Sequence, residues 1–193
     1  MSEAKVAPLI VVAGPSGVGK SSVVAEVLSR HPNSRLSVSA TTRAPRPGES
    51  DGVHYHFVSP ERFTEMAEAG ELLEWAEYAG NKYGTPREPV AQWRAQGHPV
   101  ILEIEVAGAR QVRAAAPAAL LVFLEPPSRD VLLERLRGRG TETDETFAKR
   151  VAAADGELAA AGEFDVRIVN DNLTECAGAV GALLDSATVA EGP

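Results

Sequence analysis

The feature that most constrains this chain is Gly14-Pro-Ser-Gly-Val-Gly-Lys-Ser21, which matches G-x-x-x-x-G-K-[ST] at every fixed position. It follows Leu9-Ile-Val-Val-Ala13, a continuous apolar run that reads as a strand buried on both faces. A helix is expected from Lys20 to about Arg30, where His31-Pro32 ends it. Strand, glycine loop and helix in that order open a βαβ unit. Gly14, Gly17 and Gly19 permit the tight turns that aim backbone N–H groups at an anion, and the helix N-terminus adds its dipole. Pro15, Ser16 and Val18 complete the cradle. Lys20 has the reach to meet the β- and γ-phosphates of a nucleoside triphosphate such as ATP, and the Ser21 hydroxyl is a ligand type for Mg²⁺. The motif speaks for nucleotide binding and leaves the reaction open.

The rest of the chain extends this start into an α/β fold. Pro99–Glu105, Ala119–Leu124 and Val166–Val169 read as strands, with helices expected over Gly108–Ala115, from Ser128 to about Arg137, over Val151–Ala161 and over Leu173–Ser186. Strands alternating with helices imply a P-loop NTPase-type parallel sheet flanked by helices, joined by right-handed crossovers. The stretch from 36 to 88 breaks that rhythm. It is rich in Ser, Thr, Arg, Pro and Gly, has β-prone pieces at Tyr55–Val58 and Leu72–Tyr78, and offers one helix with Ser59 as N-cap and Pro60 first. It is expected to be a small inserted α+β substrate-binding lobe, leaving residues 1–35 and 89–193 as the core. Between about 137 and 150 the chain is polar and charged, which suits a solvated loop or a mobile lid. Gly156 interrupts the helical pattern after it.

Charge and composition exclude several classes. A formal net charge of −8 argues against a nucleic-acid binder, which needs a basic face. It leaves room for a few arginines converging on a small anion. The single cysteine, Cys176, sits in an Ala/Gly/Leu-rich segment and reads as a small core side chain. The four histidines lack metal-ligand spacing with it. The apolar run at 9–13 is too short for a leader or a membrane span, so a cytoplasmic protein without membrane contact is expected, as monomer or homodimer.

Within the insert, Arg43 and Arg46 flank Pro45, and two guanidinium groups at that spacing can converge on one phosphate. Tyr55 and Tyr83 could donate hydroxyls to the same group; alone they read as half-buried aromatics. Glu103 and Glu105 alternate with Leu102 and Ile104, so both are expected on one face of a strand, at its C-terminal end. Glu74, beside Trp75, reads by itself as a surface glutamate.

Seven blocks carry a family resemblance. They are Ser37-Val-Ser-Ala-Thr-Thr-Arg-Ala-Pro-Arg-Pro-Gly-Glu49, Gly52-Val-His-Tyr-His-Phe57, Glu71-Leu-Leu-Glu-Trp75, Gly80-Asn-Lys-Tyr-Gly-Thr85, Leu102-Glu-Ile-Glu105, Arg135-Leu-Arg-Gly-Arg-Gly-Thr-Glu142 and Val169-Asn-Asp171. In this order, across residues 9 to 184, they resemble the guanylate kinase family. The resemblance implies reversible phosphoryl transfer from ATP to GMP, with Mg²⁺. It implies that Ser39, Arg43, Arg46, Tyr55, Glu74, Tyr83, Thr85, Glu103 and Glu105 bind GMP, with the Glu74 carboxylate accepting from N1 and N2 of guanine together and the Ser39 and Thr85 hydroxyls donating to O6. Lys20, Arg43, Arg135, Arg139 and Arg150 would serve transfer, and Asn170 would lie near the adenine. Similar members usually carry aspartate where this chain has Glu105, one methylene longer. Two other readings remain open: an interaction module of the same fold that has lost catalysis, and a P-loop kinase for another phosphorylated acceptor.

Overall fold

In the computed structural model, residues 6–78, 80–137 and 144–186 are described, the side chains of 144–146 excepted. Strand β1 (Leu9–Ala13) is buried at every position. Its neighbours are β7 (Val100–Glu103) and β8 (Leu120–Glu125), with β2 (Arg35–Leu36) and β9 (Val166–Val169) outside them, in the order β2-β7-β1-β8-β9. Every pairing is parallel. Ile10 and Val12 point to one face, against α1 (Lys20–Arg30) and α7 (Leu173–Ser186), where Val23, Val27, Ala177 and Val180 close the layer. Leu9, Val11 and Ala13 point to the other, against α3 (Arg87–Ala95) and α4 (Val106–Ala115). Cys176 is buried in the first layer, as its apolar surroundings predicted, and burial pushes its thiol pKa up.

A second sheet forms from β3 (Ala40–Thr41), β4 (His56–Phe57), β5 (Leu72–Tyr78) and β6 (Asn81–Pro86), in the order β4-β3-β6-β5. Helix α2 (Pro60–Glu68) covers it, with Phe63 and Met66 packed on Ala40 and Leu72. The Ser59 cap is formed: its side chain accepts from the Arg62 N–H at 3.1 Å. Strand β6 carries Gly84 and Pro86 and has no apolar alternation, so its sequence gave no strand signal. It forms because β5 supplies an antiparallel partner from Tyr78↔Asn81 to Leu72↔Pro86.

One expectation needs correcting. The strand read over Pro99–Glu105 ends at Glu103, and the helix read from Gly108 begins at Val106. The Ile104 N–H still reaches the Val12 carbonyl at 3.3 Å, after which the Glu105 carbonyl accepts the first helical bond from Ala109 at 3.0 Å. Glu103 therefore ends a strand, whereas Glu105 caps α4 with φ −88° and ψ 167°. The two do not share a strand face.

Helix α5 (Arg129–Arg137) starts under Ser128, whose hydroxyl accepts from the Val131 N–H at 3.2 Å. Helix α6 (Asp144–Ala159) takes the last part of the stretch read as a lid and packs Val151, Ala154 and Leu158 on Leu132 and Leu136 of α5. A short 3-10 helix at Ala160–Glu163 leads into β9. Arg139, the remainder of that polar stretch and the tail after Ser186 lie outside the described residues.

Gly156 lies inside α6, is exposed, and a Cβ there would have no neighbour within 4 Å. Nothing in the structure requires glycine at this position. Gly156→Ala is expected to raise unfolding stability by about 1 kcal/mol, the helix-propensity difference alone, in urea denaturation.

Candidate active site

The glycine loop between β1 and α1 is held by contacts that only a glycine backbone allows. Gly14 has φ 145°, and a Cβ on it would stand 2.4 Å from the Leu124 carbonyl oxygen of β8. Gly19, with φ 97°, caps α1 and passes so close to Asn170 that a Cβ would meet its Nδ2 at 2.8 Å. The Val18 carbonyl between them accepts from Asn170 Nδ2 at 2.8 Å and from Arg135 Nη1 at 3.3 Å. Arg135 Nη2 also donates to the Asn170 carbonyl at 3.2 Å. Arg135 and the buried Asn170 thus brace the loop, in addition to any later role with a ligand. Lys20 folds back, its Nζ donating to the Gly14 carbonyl at 2.6 Å.

A carboxylate already sits on the loop. Glu157 of α6 accepts from the Ser16 N–H at 3.3 Å, while Arg150, two turns earlier on that helix, reaches the Ser16 hydroxyl at 3.4 Å. Burial pushes the Glu157 carboxyl above its ordinary pKa, and nearby Lys20 opposes that shift. Sequence reasoning missed Glu157, because nothing local marks a helical glutamate that packs on a loop far away in the chain.

Beside the loop opens a cleft of about 320 Å³. It is lined by Ser39, Arg43, Arg46, Tyr55, Glu74, Tyr83, Glu103 and Glu105, which are the predicted acceptor residues apart from Thr85. Arg43 makes two parallel bonds to Glu49, each 2.9 Å long, and lies over the Tyr55 ring at 5.3 Å. Glu49 also accepts from the Arg46 N–H at 2.7 Å. The Arg43 bond, then the Arg46 amide, pull the Glu49 pKa down to about 2, and the same pairing pushes Arg43 higher still. Glu49 therefore presets the arginine turn, a role its place in the motif alone did not reveal. Tyr55 and Tyr83 meet edge to face at 6.0 Å, and burial raises the Tyr55 hydroxyl.

At the inner end of the cleft lies Glu74, only 6% exposed. Thr85 is buried behind it and donates its hydroxyl to Glu74 Oε1 at 2.7 Å. Thr85 therefore orients the carboxylate rather than facing the cleft. Desolvation raises the Glu74 pKa, and the Thr85 bond offsets part of that shift. The cleft meets the loop where the Ser21 hydroxyl donates to Glu103 Oε1 at 2.5 Å. A glycine loop, a paired arginine turn and a buried carboxylate thus lie around one cleft. Such an arrangement can hold two phosphates face to face with water displaced.

Comparisons with known proteins point to one family. A family model described as guanylate kinase matches residues 6–187. A guanylate kinase of Synechococcus sp. (strain CC9311) is 59% identical over 163 residues, covering 84% of this chain and 86% of that protein. One from Thermobifida fusca is 56% identical over 176 residues, 91% of this chain and 90% of its own length. The crystal structure of guanylate kinase from Anaplasma phagocytophilum superposes with a TM-score of 0.77 at 30% identity, covering 96% of this chain and 88% of that one.

The buried acid has a cost that pH can read. Its folded pKa lies above the ordinary value of 4.5, so ionising Glu74 lowers native stability. That cost is absent below the ordinary value and complete above the raised one. In thermal melts from about pH 4 to about pH 8, Glu74→Gln is expected to gain Tm over the unsubstituted protein as pH rises. A difference independent of pH would remove charge burial as its cause.

Proposed function

The chain belongs to the guanylate kinase family, and from that premise we propose that it reversibly transfers the γ-phosphoryl group of ATP to GMP, and to dGMP, through the residues assembled around this cleft. The observation that carries the assignment is the buried Glu74 carboxylate in a cleft that shares Glu103 with the phosphate loop. Guanine offers two donors, N1–H and the N2 amine, to one carboxylate. Adenine has no such pair and would leave the buried charge unpaired, a loss of about 3 kcal/mol. The inserted segment 36–88 is the acceptor lobe of this reading, and the core with its lid is the donor side.

In this reading Arg43, Arg46, Tyr55 and Tyr83 hold the GMP phosphate. Arg43 keeps its Glu49 pair, so its guanidinium is set before the substrate arrives. Lys20 and the loop N–H groups take the donor phosphates, which replace Glu157 as acceptor of the Ser16 N–H. Arg135 and Arg150 stand next to the loop and, with Arg139, meet charge spreading over the transferring group. Closure of lobe and lid brings the two phosphates in line and keeps water out.

The hydroxyl of Ser21 and the carboxylate of Glu103 are hard oxygen donors beside the loop, the type that Mg²⁺ takes along with substrate oxygens and water. Ser21 would hold the ion, with Glu103 next to it, and bound there it supplies charge neutralisation on the phosphate oxygens. Among the described residues no group of three His, Cys, Asp or Glu side chains forms a metal cage, and no helix is long and apolar enough to cross a membrane. We place the reaction in the cytoplasm, in purine nucleotide metabolism.

A coupled ADP-release assay with GMP, dGMP, AMP, UMP and ribose phosphates tests the assignment. Turnover is expected with GMP and dGMP only; absence of turnover with GMP in protein that binds ATP would overturn it. Lys20→Ala and Arg43→Ala are each expected to lower kcat/KM by about 10²–10³-fold, Arg43→Ala mainly through GMP.

A further inference from the structure

Helix α4 lies against β5, and two of its side-chain positions meet the segment that carries Glu74. Gly108 and Gln111 are three residues apart and so share one face of the helix. Strand β5 is the edge of its sheet, which leaves a backbone pair at Trp75 without a neighbouring strand. Gln111 supplies that pair. Its Oε1 accepts from the Trp75 N–H at 3.1 Å, and its Nε2 donates to the Trp75 carbonyl at 2.8 Å.

Gly108 touches the acid itself. A Cβ at this position would stand 2.5 Å from Glu74 Oε2 and 3.1 Å from its carboxyl carbon. The backbone there is ordinary helix, so φ does not call for glycine, and a helical glycine costs stability relative to alanine. What glycine provides is room. Thr85 holds Oε1 of the carboxylate, and the gap at Gly108 accommodates Oε2.

We propose that α4 forms the back wall of the acceptor-base pocket. Gly108 is its specificity-determining gap, and Gln111 is a positioning residue that pins β5 next to Glu74. The inference rests on the reading that Glu74 receives the guanine donors. A methyl group at position 108 meets the ends of two side chains, the Glu74 carboxylate and, at 3.3 Å, Ile104 Cδ1, so the fold absorbs it by turning the carboxylate. Base reading is then lost while folding is kept.

The test compares kcat and KM for GMP and for IMP, whose base lacks the 2-amino group, with KM for ATP alongside. Gly108→Ala is expected to lower the GMP-to-IMP ratio of kcat/KM by about tenfold, with ATP KM within about twofold and Tm unchanged or raised. Gln111→Leu lowers the same ratio less, and it carries the comparison should Gly108→Ala fold poorly. Placed on Glu74→Gln, Gly108→Ala costs no further discrimination, whereas a purely structural defect would cost as much in both backgrounds. Equal loss in both backgrounds overturns the proposal. So does an unchanged ratio in both α4 variants while Glu74→Gln lowers it, a result that leaves the base-reading assignment standing. If Glu74→Gln itself leaves the ratio intact, that assignment falls and this inference with it.

Discussion

The site depends on how the Val18 carbonyl is held. Three parts of the sheet layer converge on the loop: Leu124 at the end of β8 abuts Gly14, Asn170 just past β9 grips Val18, and Arg135 on α5 bonds to both Val18 and Asn170. A parallel sheet makes this possible, because all its strands deliver their C-terminal ends to the same edge. These contacts brace the loop from behind.

Two of the groups proposed to meet phosphate are paired with carboxylates of the chain. Arg43 has Glu49 at two points, and the Ser16 amide has Glu157. Under the proposed function both acids stand beside groups that take anions, which reconciles a net charge of −8 with two phosphate sites in one cleft. The two pairings differ in kind. Glu49 is held by the turn it organises and sinks to a pKa of about 2, so it stays with Arg43. Glu157 has its carboxyl raised by burial, and in the proposed reaction a donor phosphate would take its place on the Ser16 N–H. One acid organises a turn; the other packs on the loop from a distant helix.

The second sheet is tied to the first at a few defined points. Leu73 of β5 sits in the core layer with Leu9 and Val11, Gln111 closes the β5 edge, and Ser21 meets Glu103. These ties place the inner end of the acceptor cleft, at Glu74, against the rigid core, while Arg43, Arg46 and Tyr55 ride on the outer strands and loops of the lobe. Glu74, proposed to read the base, is thus held against the core, and the groups proposed for the phosphate lie on the outer part of the lobe.

Residues 9 to 30 were legible from sequence because every signal there is local: a buried run, a glycine loop with its lysine, and a helix stop at His31-Pro32. The residues proposed for the acceptor came from the family resemblance, and the structure gathers all but Thr85 around one cleft. The placement of two of them was not legible. Thr85 was read as facing the base and is buried behind Glu74; Glu105 was read on a strand and caps a helix. Strand β6 showed no periodicity because pairing with β5, and not its own apolar pattern, makes it a strand. Sequence by itself thus determined the phosphate loop, the α/β order and the family, since those rest on neighbours along the chain. Only the tertiary structure decided that Glu157 covers a loop residue 141 positions away, and that Gly108 leaves room for Glu74. Both are contacts between distant segments, and they exist only once the helices have packed.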